Sequence, residues 1–344
     1  MACRPAITSM SLGRAWAHEL PTKFAEANRY GIQGIELFYE DLEHLAKSLP
    51  GGASEENLHT AAQEVRFLCD QYSLAIICLQ PFMLDEGLVD RIEHKARIKK
   101  LHLWLELARI LRTDLIAIAS SYLPVERISS DINLIISDLQ EVADLGAQRC
   151  PPVRFTYESL AWGTRVDTWE VCWDIVRRVN RPNFGICLDT FNIAGRVYAD
   201  PTADTGMTTT AETDIESSIE RLIHTVDVSK IFYVQVVDAE KLKEPLLQEH
   251  EFYNSSQPPR MSWSRNCRLF YGEDSLGAYL PIQRLVRAIF QDLGFRGWVS
   301  MELFNRDMAS SDPTVPADHA RRAFKAWNKI VEDCNLKHIR DAQL

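Results

Sequence analysis

The sequence lacks several patterns that would assign it to a common class of protein. It contains eight cysteines but no Cys-x-x-Cys pair, so neither a zinc site of that spacing nor a disulfide framework is indicated. No run approaches the ~18 consecutive apolar residues that span a bilayer. No Gly-x-Ser-x-Gly motif is present, and no glycine-rich phosphate loop follows the first predicted strand. We therefore expect a soluble, cytoplasmic protein whose cysteines are buried free thiols.

Positive charge is also scarce. Lysine and arginine number 38 against 48 acidic residues, which gives a formal net charge of −10. A protein that binds nucleic acid normally carries a basic face, so neither nucleic acid nor a membrane is an expected partner. An anionic small molecule stays possible, because a pocket can be locally positive on an acidic protein. We expect a small-molecule substrate, and the sequence leaves the oligomeric state open.

Short apolar runs alternate with stretches of helical periodicity along the whole chain. The predicted strands cover residues 5–10, 34–38, 74–80, 115–119, 153–158, 184–189, 231–237 and 297–303. The predicted helices cover residues 20–30, 55–72, 88–112, 129–146, 166–179, 212–226, 278–293 and 316–334. Such alternation implies parallel strands joined by crossover helices, and eight units fit a (β/α)₈ TIM barrel. An open doubly wound sheet is the alternative fold.

Two long segments interrupt the regular spacing of this pattern. Residues 191–211 and 239–276 follow the sixth and seventh predicted strands. Loops after barrel strands build the face that carries active sites, and connections of this length are often functional covers. We expect long loops there that act as a lid or as a wall for the substrate. No linker or low-complexity tract divides the chain, so residues 1–344 are expected to form one TIM-barrel domain.

Four oxygen-bearing side chains lie late in four of the predicted strands. They are Glu158, Asp189, Gln235 and Glu302, and each ends an apolar run. In a closed barrel of parallel strands these ends converge on one mouth. Three carboxylates need a positive partner there, and oxygen donors suit Mg²⁺, Mn²⁺ or Co²⁺ better than zinc or copper. The pattern predicts one divalent metal ion, which would polarise a substrate carbonyl.

Each of these side chains also has a simpler interpretation. A single glutamate at a strand end is commonly solvated or salt-bridged, and Asp189 followed by Thr190 can cap a helix. Gln235 is harder to explain in this way, because a buried amide in an apolar run needs hydrogen-bond partners. On the residues alone, a metal site and a set of unrelated polar side chains both stay open.

The second long segment contains Ser-Trp-Ser-Arg-Asn-Cys-Arg-Leu-Phe from Ser262 to Phe270. Arginine pairs with both oxygens of a carboxylate through its planar fork, so this stretch is a candidate clamp for a carboxylated substrate. Arginines that face solvent fit the pattern equally well. Trp162, four residues after Glu158, either forms the floor under a ring-shaped substrate or packs in the core.

Taken together, these segments resemble the xylose isomerase-like barrel superfamily and, within it, the 3-dehydroshikimate dehydratases of the fungal quinate-pathway type. The resemblance implies that Glu158, Asp189, Gln235 and Glu302 bind one divalent metal ion. It also implies that Ser264 and Arg268 contact the substrate, the arginine through the substrate's carboxylate. The implied reaction is the loss of water from 3-dehydroshikimate to give protocatechuate. The segments that carry the resemblance begin at Gly34 (GIELF), Leu79 (LQPF), Tyr157 (YESLAWG), Cys187 (CLDTFN), Val234 (VQVVDA), Trp263 (WSRNCRLF) and Ser300 (SMELFN).

Two positions depart from the bacterial members of that family. Those proteins carry a histidine where this chain has Asn192, and an arginine where it has Met83. An amide is not a useful base at neutral pH, so the general base is expected elsewhere. Glu36, late in the second predicted strand, is the first candidate, although it can equally orient other residues. Glu36 and Asn192 are thus the predicted catalytic positions. A sugar isomerase or epimerase on the same barrel and a non-catalytic sensor are the alternative functions.

Overall fold

The computed structural model describes residues 2–336 of the chain. Eight of its ten strands close into a parallel barrel, in the order β1-β10-β7-β6-β5-β4-β3-β2, and two short strands, β8 and β9, form a separate antiparallel pair. The predicted (β/α)₈ barrel is confirmed, and the open doubly wound sheet is excluded. The strands are β1 Arg4–Thr8, β2 Gly34–Phe38, β3 Ala75–Phe82, β4 Leu115–Ala119, β5 Arg154–Glu158, β6 Phe184–Asp189, β7 Ile231–Gln235, β8 Asp238–Ala239, β9 Arg268–Leu269 and β10 Trp298–Met301.

Helices surround the barrel and cover the outer face of its strands. In α6, the buried residues Trp169, Cys172, Trp173 and Val176 recur at helical spacing and form the stripe that faces β5 and β6. None of the helices in the described chain has the length and apolar composition needed to cross a bilayer. The helices are α1 Leu20–Arg29, α2 Tyr39–Ser48, α3 Glu55–Gln71, α4 Arg91–Leu111, α5 Ile132–Ala147, α6 Trp169–Val179, α7 Thr190–Val197, α8 Ala211–Thr225, α9 Pro259–Cys267, α10 Ile282–Arg287 and α11 Val315–Asp333.

The structure adds helices where the sequence indicated loops. Helix α2 starts directly after β2, in the stretch between the predicted strand 34–38 and the predicted helix 55–72 that the pattern left without secondary structure. The segment 191–211 begins within helix α7, whose first turn is capped by Asp189. The Asp189 Oδ1 atom accepts hydrogen bonds from the backbone N–H of Phe191 at 2.7 Å and of Asn192 at 3.3 Å. The long segment after β6 therefore contains an irregular loop only beyond α7.

The segment 239–276 also carries secondary structure of its own. It contains α9 and β9, and β9 pairs with β8, which follows β7 after two residues. The backbone N–H of Arg268 donates to the carbonyl of Phe304 at 3.0 Å. Helix α9 and the residues after it are therefore fixed against the loop that follows β10, on the C-terminal face of the barrel.

The cysteines agree with the predicted free thiols, with one correction. All eight are free, and seven of them are buried. Cys150 is exposed because it lies in the turn between α5 and β5, at the opposite end of the barrel from the C-terminal face.

Candidate active site

The four predicted metal ligands lie at the C-terminal ends of four barrel strands. Glu158, Asp189 and Gln235 are the last residues of β5, β6 and β7, and Glu302 directly follows β10. In the strand register Asp189 is opposite Gln235, and Gln235 is opposite Ser300. The structure therefore brings all four side chains to one mouth, although they are up to 144 residues apart in the chain, from 158 to 302.

The three carboxylates of this set converge closely. One oxygen from each of Glu158, Asp189 and Glu302 lies within 4.8 Å of the other two. All three side chains are buried. Burial and then the charges of Glu302 and Asp189 raise the pKa of Glu158 well above its ordinary value. Burial and then the charge of Glu36 raise the pKa of Glu302 in the same way. A cation among these oxygens would favour the ionised carboxylates, so the donor set fits a divalent ion.

Arg268 already places one positive charge in this cluster. Its Nη1 donates to Asp189 Oδ2 at 2.9 Å and to Glu302 Oε2 at 3.0 Å, and its Nε donates to Ser264 Oγ at 3.0 Å. The side chain is 2% exposed. Its Nη2 makes no hydrogen bond with any residue that the structure describes, so this nitrogen is available to a ligand.

The guanidinium of Arg268 packs against two aromatic rings. Its central carbon lies 4.2 Å from the ring centroid of Phe191 and 4.9 Å from that of Phe304. A cation over an aromatic face is attracted by the ring's electrons, more so when water is excluded. Arg268 is therefore fixed both in position and in orientation.

Glu36 lies at the centre of a polar network inside the barrel and is 0% exposed. Both of its oxygens accept hydrogen bonds from uncharged side chains, three at Oε1 and two at Oε2. Burial raises the pKa of Glu36, against the opposing effect of the hydrogen bonds from Ser300 and Tyr233. The donors are Gln80 Nε2 at 2.9 Å, Tyr233 Oη at 2.5 Å and Gln235 Nε2 at 2.8 Å to Oε1, and Thr8 Oγ1 at 2.9 Å and Ser300 Oγ at 2.6 Å to Oε2.

Two amides connect Glu36 to the ligand cluster. Gln235 donates its Nε2 to Glu36, so its Oε1 is left as the acceptor, with only a weak contact from the Cys187 thiol at 3.4 Å. Gln80 donates its Nε2 to both Glu36 Oε1 and Glu302 Oε1, at 2.9 and 2.7 Å. Glu36 thereby sets the orientation of one predicted ligand directly and of another through Gln80.

Asn192 connects two of the carboxylates from the other side. Its Nδ2 donates to Glu158 Oε1 and to Asp189 Oδ2, each at 2.8 Å. Its Oδ1 accepts the backbone N–H of Ala161 at 3.0 Å. The amide is therefore fully engaged, and it fixes the loop after β5 relative to α7.

A cavity of about 140 Å³ opens at this mouth. Trp162, Ser264 and Arg268, the three predicted substrate contacts, all line it, together with the carboxylates of Glu158 and Glu302. The indole N–H of Trp162 is buried and has no hydrogen-bond partner among the described residues. Glu36 and Asn192 are not among the lining residues, which otherwise include Phe38, Gln80, Met83, Tyr122, Arg265 and Phe304.

Comparison with known proteins agrees with this architecture. Residues 24–329 match the family model of the xylose isomerase-like TIM barrels. The chain belongs to this family.

Within the xylose isomerase-like TIM barrels, the chain is similar to proteins described as 3-dehydroshikimate dehydratase. It is 55% identical to the one from Neurospora crassa over 343 residues, which cover 98% of this chain and 96% of that protein. It is 30% identical to the one from Pseudomonas aeruginosa over 290 residues, which cover 83% of this chain and 36% of that protein. A solved xylose isomerase-like TIM barrel/4-hydroxyphenylpyruvate dioxygenase fusion protein superimposes with a TM-score of 0.72 at 24% identity, over 100% of this chain and 44% of the fusion protein.

Some residues of this xylose isomerase-like barrel site escaped the sequence argument. Gln80 ends an apolar run in the same manner as Gln235, so the same pattern would have found it. Tyr122 reaches the cavity from a segment without strand or helix periodicity that points to it, so only the folded arrangement reveals its position. Arg265 belongs to the stretch Ser262–Phe270 that the sequence offered as a candidate clamp, and the structure places it in the cavity lining.

Proposed function

We propose that this protein is a 3-dehydroshikimate dehydratase, a lyase that converts 3-dehydroshikimate to protocatechuate and water. The observation that carries this assignment is the 55% identity to the Neurospora crassa protein over nearly the full length of both chains. The chemistry of the mouth supports it, because clustered oxygen donors, an arginine and aromatic walls suit a carboxylated ring ketone.

We assign Glu158, Asp189, Gln235 and Glu302 as the residues that would hold one divalent metal ion. Mg²⁺, Mn²⁺ and Co²⁺ all accept such oxygen donors, and the donor set does not select among them. Three carboxylates and the Arg268 guanidinium leave two formal negative charges, which one divalent ion balances. When bound, such an ion polarises a ketone oxygen and stabilises the charge that develops as the neighbouring carbon loses a proton.

The reaction needs a group that removes this proton. Glu158 is the candidate that the contacts favour, because Asn192 engages only its Oε1 and no described residue donates to its Oε2. Glu158 also lines the cavity in which a ring substrate would lie. Loss of this proton and of the hydroxyl on the next ring carbon releases water, and transfer of a further ring proton to the ketone oxygen gives the aromatic catechol.

Glu36 and Asn192 act on this chemistry by holding its parts in place. Glu36 accepts five hydrogen bonds and has no contact with the cavity. Both observations favour the orienting role that the sequence left open over a role as the base. Asn192 keeps Glu158 and Asp189 at a fixed separation through its single amide nitrogen. Orienting groups of this kind commonly alter metal affinity by 10- to 100-fold, an order-of-magnitude range.

The substrate ring would lie between the aromatic walls of the cavity. Trp162 forms part of the cavity wall, and Arg268 offers its free Nη2. Ser264 accepts from Arg268 Nε, so its hydroxyl hydrogen is free to donate to a substrate oxygen.

The decisive experiment is incubation with 3-dehydroshikimate and each of Mg²⁺, Mn²⁺ and Co²⁺ while the absorbance of a catechol product is followed. We expect protocatechuate with at least one ion, and a loss of at least ~100-fold in rate for Glu158→Gln. Glu216→Gln, an exposed glutamate on α8, is the matched control and should keep wild-type activity. The absence of an aromatic product with every ion would overturn the assignment, and turnover of a ketose instead would favour the epimerase alternative.

A further inference from the structure

The cavity has two cationic residues in its lining, Arg268 and Arg265. Their surroundings differ, although Arg265 lies in the last turn of α9 and Arg268 directly follows this helix as the first residue of β9. Arg268 is buried and divides its charge between the carboxylates of Asp189 and Glu302. Its positive charge is therefore largely neutralised before a substrate arrives.

Arg265 carries no such partner. It is exposed, and among residues 2–336 no carboxylate lies within ion-pair distance of it. Its Nη1 donates to the amide oxygen of Gln257 at 2.8 Å, and Gln257 in turn donates to Ser262 Oγ at 2.6 Å. This neutral tether holds the guanidinium near the cavity without cancelling its charge.

The balance of formal charges at the barrel mouth also points to Arg265. The three clustered carboxylates, Arg268 and a bound divalent ion together sum to zero, and the nearby carboxylate of Glu36 adds only negative charge. A substrate with one carboxylate adds a further negative charge, which no cation of this set balances. Arg265 is the cation of the cavity lining that is free to balance it, and its planar fork matches a carboxylate.

We propose that Arg265 is the specificity-determining residue that binds the carboxylate of the ring substrate at the rim of the cavity. This inference rests on the proposed dehydratase function. Arg268 then contacts the inner end of the ring and holds the carboxylates of Asp189 and Glu302, whereas Arg265 binds the substrate carboxylate.

The test compares Arg265→Gln with Arg265→Lys and with Arg284→Gln. Arg284 is an exposed arginine on α10 that pairs only with Glu212, so its change gives the same loss of charge away from the cavity. We expect Arg265→Gln to raise KM for 3-dehydroshikimate about 10- to 100-fold with kcat within about threefold of wild type, as for loss of a charge-assisted hydrogen bond. Arg265→Lys should recover part of KM, and Arg284→Gln should leave both constants unchanged.

A binding measurement that needs no turnover separates this inference from the proposed function. Calorimetry on the metal-loaded protein with protocatechuate and with catechol measures the contribution of the carboxylate directly. Wild type should prefer protocatechuate, and Arg265→Gln should lose most of that preference. A full preference in Arg265→Gln would overturn the role of Arg265, whatever the turnover assay gives. A wild-type protein that binds protocatechuate selectively but forms none from 3-dehydroshikimate would overturn the proposed function and leave the role of Arg265 supported.

Discussion

The side chain of Glu36 illustrates how neighbours decide the role of a residue. A carboxylate late in a barrel strand can be a base, a ligand or an orienter, and the sequence does not separate these roles. Its five hydrogen-bond donors come from β1, β3, β7 and β10, and the one from Ser300 is 264 positions away. A carboxylate that accepts so many bonds is held rigidly, and it has little capacity left for a substrate proton.

Replacement of Glu36 by glutamine tests the orienting role. The new amide N–H₂ would face hydrogen-bond donors, and we expect Glu36→Gln to lower the free energy of unfolding by about 2–4 kcal/mol. Divalent-ion affinity and kcat should fall with it, because a neutral amide oxygen holds Gln235 and Gln80 more weakly than the carboxylate oxygen does. Chemical denaturation, calorimetry with the metal and a pH–rate profile are the measurements. If the variant folds normally and its profile loses the acid-side limb, on which the wild-type rate rises with pH as the base loses its proton, Glu36 is the base after all.

For single residues, the sequence predicted the positions at strand ends, because these follow from the strand pattern. It did not predict the hydrogen bonds between side chains of different strands. The end positions of Glu158, Asp189, Gln235 and Glu302 follow from apolar runs of known length, and the structure brings all four together. The bridging amide of Gln80 between β2 and β10 depends on which strands are neighbours around the barrel, which no local pattern contains.

The loops after β3 and β4 are joined by another buried carboxylate. Glu86 Oε1 accepts hydrogen bonds from the backbone N–H of Ser121 at 3.0 Å and from Tyr157 Oη at 2.7 Å. Its Oε2 is buried without a hydrogen-bond partner among the described residues. Burial raises the pKa of Glu86 to about 7. These two loops carry Met83 and Tyr122 into the cavity wall, so Glu86 stabilises one side of the proposed active site.

The raised pKa of Glu86 makes a specific contribution to the pH dependence of stability. The folded protein retains this proton while the unfolded chain, with a pKa of 4.5, loses it. Stability from this group is therefore complete below pH 4.5 and falls as the pH rises to about 7, by roughly 3 kcal/mol in total. Glu86→Gln, which does not titrate, should lack this decline. Urea denaturation at pH 5 and pH 8 measures the free energy of unfolding of both proteins. An equal change in this free energy between the two pH values for wild type and Glu86→Gln would refute the contribution of Glu86.

Helices α2 and α7 were not predicted from the sequence, and the physical reason is the same for both. Residues 190–195 at the start of α7 are all buried, so this part of the helix has no solvent-exposed polar face that would mark it as a surface helix. Helix α2 begins directly after the last residue of β2, and its start lies within the same aromatic run as the strand end. Both short helices are specified by what packs around them rather than by a local pattern.

Across the whole molecule, the concentration of negative charge at one mouth links metal binding to stability. Bound divalent ions should raise the melting temperature, because the folded protein binds them and the unfolded chain does not. The raised pKa values of Glu158 and Glu302 mean that protons compete with the ion. We therefore expect tighter binding and a larger stabilisation at pH 8 than at pH 5, with release of protons on binding.

Thermal unfolding with and without Mn²⁺ at the two pH values measures the stabilisation. Calorimetry in two buffers of different ionisation enthalpy counts the protons released. Glu216→Gln should behave as wild type, whereas Glu158→Gln should lose both effects. An equal stabilisation at both pH values, or in both variants, would indicate that the ion binds elsewhere.

The global architecture was the most predictable property of the chain. Eight strand–helix alternations and the absence of a phosphate loop leave few folds that bury every strand, and a closed parallel barrel removes the open edges. The packing of α9 and β9 onto the C-terminal face was not predictable, because it depends on contacts such as that between the backbone atoms of Arg268 and Phe304.

The single exposed thiol gives the molecule a natural chemical handle. Cys150 lies at the end of the barrel away from the mouth, and the other seven sulfhydryls are shielded. A maleimide-bearing surface or dye would therefore attach at one known place on the unaltered polypeptide. Molecules tethered in this way would all present the open end of the barrel to the surrounding solution.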